Sequence, residues 1–139
     1  MNDLMPWKEC EQKFIRKVMV DPEKINSVVE MAKKRLRFVR SINVNKENVN
    51  FIFEGYYEVI KEILIAIMLK SGLRSQNHQC LFTFFHKKYG QDAEVNVIKQ
   101  MNFLRNRLNY YGEEIELSYF QENYKSFEKI IKILLDVLK

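Results

Sequence analysis

The sequence predicts an all-α protein, an up-and-down bundle of five to six helices in a single domain over residues 1–139. Three observations lead there. Apolar residues recur at three- and four-residue spacing along most of the chain. Helix start and stop residues punctuate it regularly. Glycine and proline are scarce, at 4 and 2 of 139 residues, which argues against the many tight turns of a sandwich or barrel. An apolar content of 47% is enough for one core of its own.

The elements follow in order. The segment Trp7 to Met19 reads as a first helix with an ill-defined face. Asp21-Pro22 is a helix start, with the acid as N-cap and proline in the first turn. Ile25, Val28, Val29, Ala32, Leu36 and Val39 then line one side of that second helix. Asn45 is placed to cap a long third helix running to about Ser71. Its first half gathers Glu54, Glu58, Lys61 and Glu62 on one face, while its second half, Ile63 to Leu69, is apolar all round, as expected of the most buried helix. A helix from about Asn77 to Tyr89 ends at Gly90, and Asp92 opens another that ends at Gly112. Ser118-x-x-Gln121 reads as a capping box for the last helix, whose stripe of Phe120, Tyr124, Phe127, Ile131, Leu134 and Leu138 reaches the C-terminus. Gly55, alone among the glycines, falls inside a helix, where it predicts a close helix–helix approach.

Composition narrows the function classes. The longest apolar run, Ile63 to Leu69, is far shorter than the ~18 residues needed to cross a bilayer. Asp3, Glu9 and Glu11 interrupt anything like a signal peptide. The expectation is a soluble, cytoplasmic protein without membrane contact. Cys10 and Cys80, with no CxxC, read as free thiols in a reducing compartment. No histidine falls in metal-ligand spacing, and there is no glycine-rich phosphate loop, nucleophile elbow or paired-carboxylate motif. Neither a metal nor a cofactor is implied. The net charge of +5 is unevenly spread, with Lys33, Lys34, Arg35, Arg37 and Arg40 clustered on the second helix. Such a run is either a solvated helix face or a hold on phosphate, with Lys33, Lys34 and Arg37 the candidate contacts.

The fifth helix carries the chemistry. At about 100° per residue, Val97, Met101, Leu104, Leu108 and Tyr111 form its expected buried stripe, with Asn102, Arg105, Asn106 and Asn109 along the adjoining flank. A cation at the border of a core needs a partner. The alternatives are Glu54, Glu58 or Glu62 of the long helix, a second subunit, or a phosphate. Of the two histidines, His78 at a helix start reads as a capping or packing residue. His86, followed by Lys87 and Lys88 at a helix C-terminus, reads as a complement to the helix dipole.

The segment Leu104-Arg-Asn-Arg-Leu-Asn-Tyr-Tyr-Gly112 resembles the C-terminal signature of HEPN domains: an arginine, a polar residue, a few variable positions and a histidine. Arg105 and Asn106 match the first two positions, and Tyr110 stands where the family has histidine. The helix beginning Phe53-Glu-Gly-Tyr-Tyr-Glu and the segment Leu69 to Leu81 are similar to the family's long helix and the loop after it, and the resemblance covers about residues 21–139. It implies a homodimer that brings two arginine motifs together in one cleft. It further implies binding of RNA or a nucleotide, metal-independent RNA cleavage in catalytic members, and, for some members, a nucleotidyltransferase partner in a toxin–antitoxin couple. Arg105, Asn106 and Tyr110 would be the catalytic set; Asn102, Arg105, Asn109 and Tyr111 would line the binding cleft. A phenol with pKa about 10 is a poor general base at neutral pH, where imidazole at about 6.5 serves well. Tyr110 in place of histidine therefore favours binding over cleavage.

Overall fold

The computed structural model describes residues 4–139, so Asp3 lies outside the described residues. Six helices and one two-stranded sheet account for the described chain: α1 Trp7–Lys13, β1 Ile15–Lys17, α2 Pro22–Arg40, α3 Val49–Lys70, β2 Leu73–Ser75, α4 His78–Tyr89, α5 Asp92–Tyr111 and α6 Leu117–Val137. The all-α expectation holds. No described helix is long and apolar enough to cross a membrane.

Helix α3 is the axis of the bundle. Its residues Phe53, Tyr57, Ile60, Ile63, Leu64 and Met68 are almost fully enclosed, the last three in the half that is apolar all round. The other long helices pack around it because each is apolar on one side only. Phe127 of α6 anchors the largest aromatic cluster, within about 6 Å of the Phe53, Tyr56 and Phe120 rings. Helix α2 lies closest to α3. A Cβ at Gly55 would overlap Val39 Cγ1 of α2, so the glycine permits the expected close approach. One polar junction ties three helices together: Tyr56 donates to Glu128 Oε2 at 2.6 Å, and Arg40 Nε donates to the same oxygen at 3.0 Å.

Side-chain caps set some of the helix ends. Asp21 Oδ1 accepts from the backbone N–H groups of Glu23 and Lys24 at 3.1 and 3.3 Å. Asp21→Ala is accordingly expected to lower unfolding stability by about 1 kcal/mol, measurable by urea titration. Asn77 caps α4 through the N–H of Cys80. Two expected caps are corrected. Asn45 does not cap α3 but closes the turn before it, accepting from the N–H groups of Glu47 and Asn48. The Ser118–Gln121 box does not form, because α6 already begins at Leu117. Its entry is set instead by buried Ile115, whose N–H donates to Asn50 Oδ1 on α3 at 2.7 Å.

The N-terminal segment departs further. Its helix stops at Lys13, and residues 15–17 pair antiparallel with residues 73–75, Arg16 opposite Arg74. Gly72, with φ +75°, turns the chain out of α3 into that pairing. The strand pair lays α1 on α4, where Trp7 meets Phe84 and Cys10 is bonded to Cys80. Both cysteines are therefore oxidised, with Cα atoms 5.6 Å apart, and the free-thiol expectation is overturned. A sequence separation of 70 hides the pairing, since only the tertiary path makes these residues neighbours. His86 at the end of α4 meets Asp92 at the start of α5, Nε2 to Oδ1 at 2.6 Å.

Candidate functional site

The site is built on the polar face of α3, where α4 and α5 border it. Tyr57 is fully buried, and a hydroxyl on such a residue needs partners. Its OH donates to Asn102 Oδ1 of α5 at 2.9 Å and lies 2.9 Å from His78 Nδ1 of α4. One hydroxyl carries one proton. With that proton directed to Asn102, the Nδ1–H of His78 donates to the phenol oxygen, leaving Nε2 as the basic nitrogen. Asn102 is itself buried, so three helices are pinned by a network centred on one phenol.

Arg105 lies one turn beyond Asn102. Its guanidinium sits over the Tyr57 ring, 5.7 Å from the centroid. Glu58 of α3 is its nearest carboxylate, but at 3.9 Å, while Lys61 holds the same carboxylate group at 2.7 Å. The buried Nε of Arg105 has no acceptor among the described residues. The side chain keeps 22% of its surface exposed. A guanidinium offers five donors; here it has one distant carboxylate shared with a closer lysine. Arg105 and Lys61 against Glu58 leave the cluster one positive charge in excess.

The His78 imidazole is held below its ordinary pKa, first by burial and then by the Lys61 and Arg105 cations beside it. Tyr57 is pushed upward, chiefly by burial. At neutral pH the site thus presents a neutral imidazole, a neutral phenol and an incompletely paired guanidinium. Among the described residues, no group of acidic, histidine or cysteine side chains could hold a metal ion.

The sequence-predicted residues separate. Arg105 and Asn102 belong to the site, on a buried face of α5 that runs through Val95, Ile98, Met101 and Asn102, while Val97, Leu104 and Leu108 of the expected stripe pack partly buried against the core beside it. Arg105 follows Ile98 by seven residues and so faces inward, about 20° from it. That rotation buries Nε. Asn106 is half-buried on the flank, and Asn109 is exposed. Tyr110 and Tyr111 are exposed to 73% and 70%, so Tyr111 is not part of the buried stripe. Its ring lies under the guanidinium of Arg107, 5.0 Å away, which in turn pairs with Glu113.

The basic run of α2 does not act as one patch, because about 100° per residue distributes it around the helix. Lys33 pairs with Glu30 and lines a groove toward α6; Lys34 and Arg37 are exposed. Only Arg35 reaches the polar face of α3, through Glu62 at 2.7 Å. Sequence reasoning thus missed Tyr57, Lys61 and His78 as members of the site. A signal did exist. Tyr57 falls on the buried side of α3, where its hydroxyl had to find company, and Asn102 was the amide one turn before the motif arginine. No family model, curated protein or solved structure matches the chain.

Proposed function

We propose that this chain is a HEPN-like dimeric module whose Arg105 cleft binds the phosphate of RNA or of a nucleotide. The observation that carries the reading is the incompletely satisfied Arg105 guanidinium, fixed over Tyr57 with only a shared carboxylate at 3.9 Å. A phosphate oxygen offers the short, charge-assisted acceptors that this carboxylate does not. Exposed apolar side chains border the same face and support pairing of two copies across it. Met31 and Phe38 lie one turn on either side of Arg35, and Phe51 lies two turns before Glu58.

The test is fluorescence anisotropy of a labelled single-stranded RNA in EDTA, with sedimentation equilibrium in parallel. Arg105→Ala should weaken binding at least about tenfold, the equivalent of one charge-assisted hydrogen bond. Phe38→Glu should shift the dimer toward monomer. Equal binding by wild type and the Arg105 variant would remove phosphate recognition from this cleft.

His78 supports a second reading, a metal-independent endoribonuclease in which the imidazole of α4 takes the proton-transfer role left open at Tyr110. A neutral imidazole beside a phosphate-binding guanidinium has the right character for that role. RNA cleavage in EDTA, lost in His78→Ala with binding retained, would establish it. Binding of RNA by both proteins without cleavage by either would leave a binding cleft.

A further inference from the structure

Helices α2 and α6 both lie against α3 and leave a groove between them. Arg40 and Glu128 bridge the two helices, and the groove of about 1100 Å³ between them runs along α6 from Lys125 and reaches Val20 and Leu138. Ile25 and Val29 form one wall, Ile131 and Leu135 the other. The rim is basic. Lys125, Lys129 and Lys132 recur along α6 at helical spacing, and Lys70 and Lys139 stand at the open end. Two acids, Glu128 and Asp136, also reach the rim; Arg40 pairs with the first and Lys139 with the second, at 3.3 Å.

We infer that this groove docks an acidic amphipathic helix of a partner protein. Three observations select that occupant. The apolar walls are supplied by two helices, the setting into which a third helix lays its apolar stripe. The wall from Lys125 to Lys139 is about 20 Å long, room for about 13 helical residues. The cations are distributed along that length rather than gathered at one end. A fatty acid carries a single carboxylate and would leave most of them unanswered, whereas a helix with acids at three- and four-residue spacing meets Lys125, Lys129 and Lys132 in register. A second copy of this chain is disfavoured, because it would bring one lysine row against another. None of the residues lining the groove belongs to the Arg105 site.

The test uses the full chain and three labelled 14-residue peptides. One carries leucine at helical spacing flanked by glutamate, one has lysine replacing each glutamate, and one is a scramble of the acidic sequence. Anisotropy should show micromolar, salt-sensitive binding of the acidic helix only. The triple variant K125E/K129E/K132E should lose that binding at least tenfold and acquire binding of the basic peptide. This exchange cannot arise from misfolding. Arg105→Ala should bind the acidic peptide as wild type does. Failure of the acidic helix to bind, or equal binding of the scramble, would overturn the proposal. So would capture of palmitate at this groove in place of the peptide, which would assign it to an acyl chain.

Discussion

Replacing Cys10 and Cys80 by serine is expected to lower the unfolding free energy by about 2–4 kcal/mol and the Tm by roughly 10 °C. The disulfide joins residues 70 positions apart, and cross-links over long segments remove the most freedom from the unfolded chain. The local contacts it reinforces are few: the three-residue strand pair, Thr83 donating to the carbonyl of Met5 at 2.7 Å, and Trp7 between Phe84 and the Lys87 ammonium. Oxidised and dithiothreitol-treated wild type should therefore differ in thermal unfolding, while the double serine variant should not respond to reductant. Because the bond ties α1 to α4 and does not touch α5, reduction should leave the RNA binding proposed for Arg105 nearly unchanged. Loss of binding on reduction would mean that α1 supports the cleft through α4 and His78.

The parts of the fold that the sequence disclosed are those set by local chemistry. The Asp21 cap, Gly90 and Gly112 after their helices, and the enclosure of Ile63 to Leu69 depend on neighbours within a turn or two, so periodicity exposes them. The β1–β2 pair and the disulfide depend on residues about 60–70 positions apart, and three residues per strand carry no alternation to read. Cap position was legible only where a side chain forms the cap. At α6 a buried isoleucine and Asn50 fix the helix start, and the serine that fits a capping motif has nothing to accept.

The site was half legible for a related reason. Arg105 stood out because a cation beside an apolar stripe needs a partner, and the structure shows that Glu58, one of the three carboxylates considered, is nearest. Which histidine approaches it depends on how α4 crosses α3, and no one-dimensional pattern encodes that crossing. Of the two readings of the basic run, Lys34 and Arg37 fit a solvated helix face, because adjacency in sequence is not adjacency around a helix. Arg35 and Lys33 are two positions apart and face different sides of α2, one toward Glu62 and the other toward the groove.

The second large effect is expected at Tyr57. Tyr57→Phe keeps the ring beneath Arg105 but removes the hydroxyl from both Asn102 and His78. A buried acceptor left without its donor costs about 1–3 kcal/mol, more than the bond contributed when present. The double variant Tyr57→Phe/Asn102→Leu should therefore be more stable than the sum of its single changes, because it removes both partners together. His78 adds a pH signature. Its folded pKa lies below the ordinary value, while the unfolded chain keeps that value near 6.5. As the pH falls, the unfolded state takes up the proton first. This part of native stability is complete above about pH 6.5 and declines below it. Glu128 acts in a separate, lower window, because Arg40 and Tyr56 hold its carboxyl below the usual range. Urea titrations at pH 7.5 and 5.5 should then show a loss in wild type that is smaller in His78→Gln. Unchanged stability in Tyr57→Phe would show that water replaces the hydroxyl at no cost, and the cleft would then be an open, hydrated surface. On the function proposed above, RNA binding in Tyr57→Phe, with the ring retained, should fall less than in Arg105→Ala, which separates a residue that positions the guanidinium from one that would meet a phosphate.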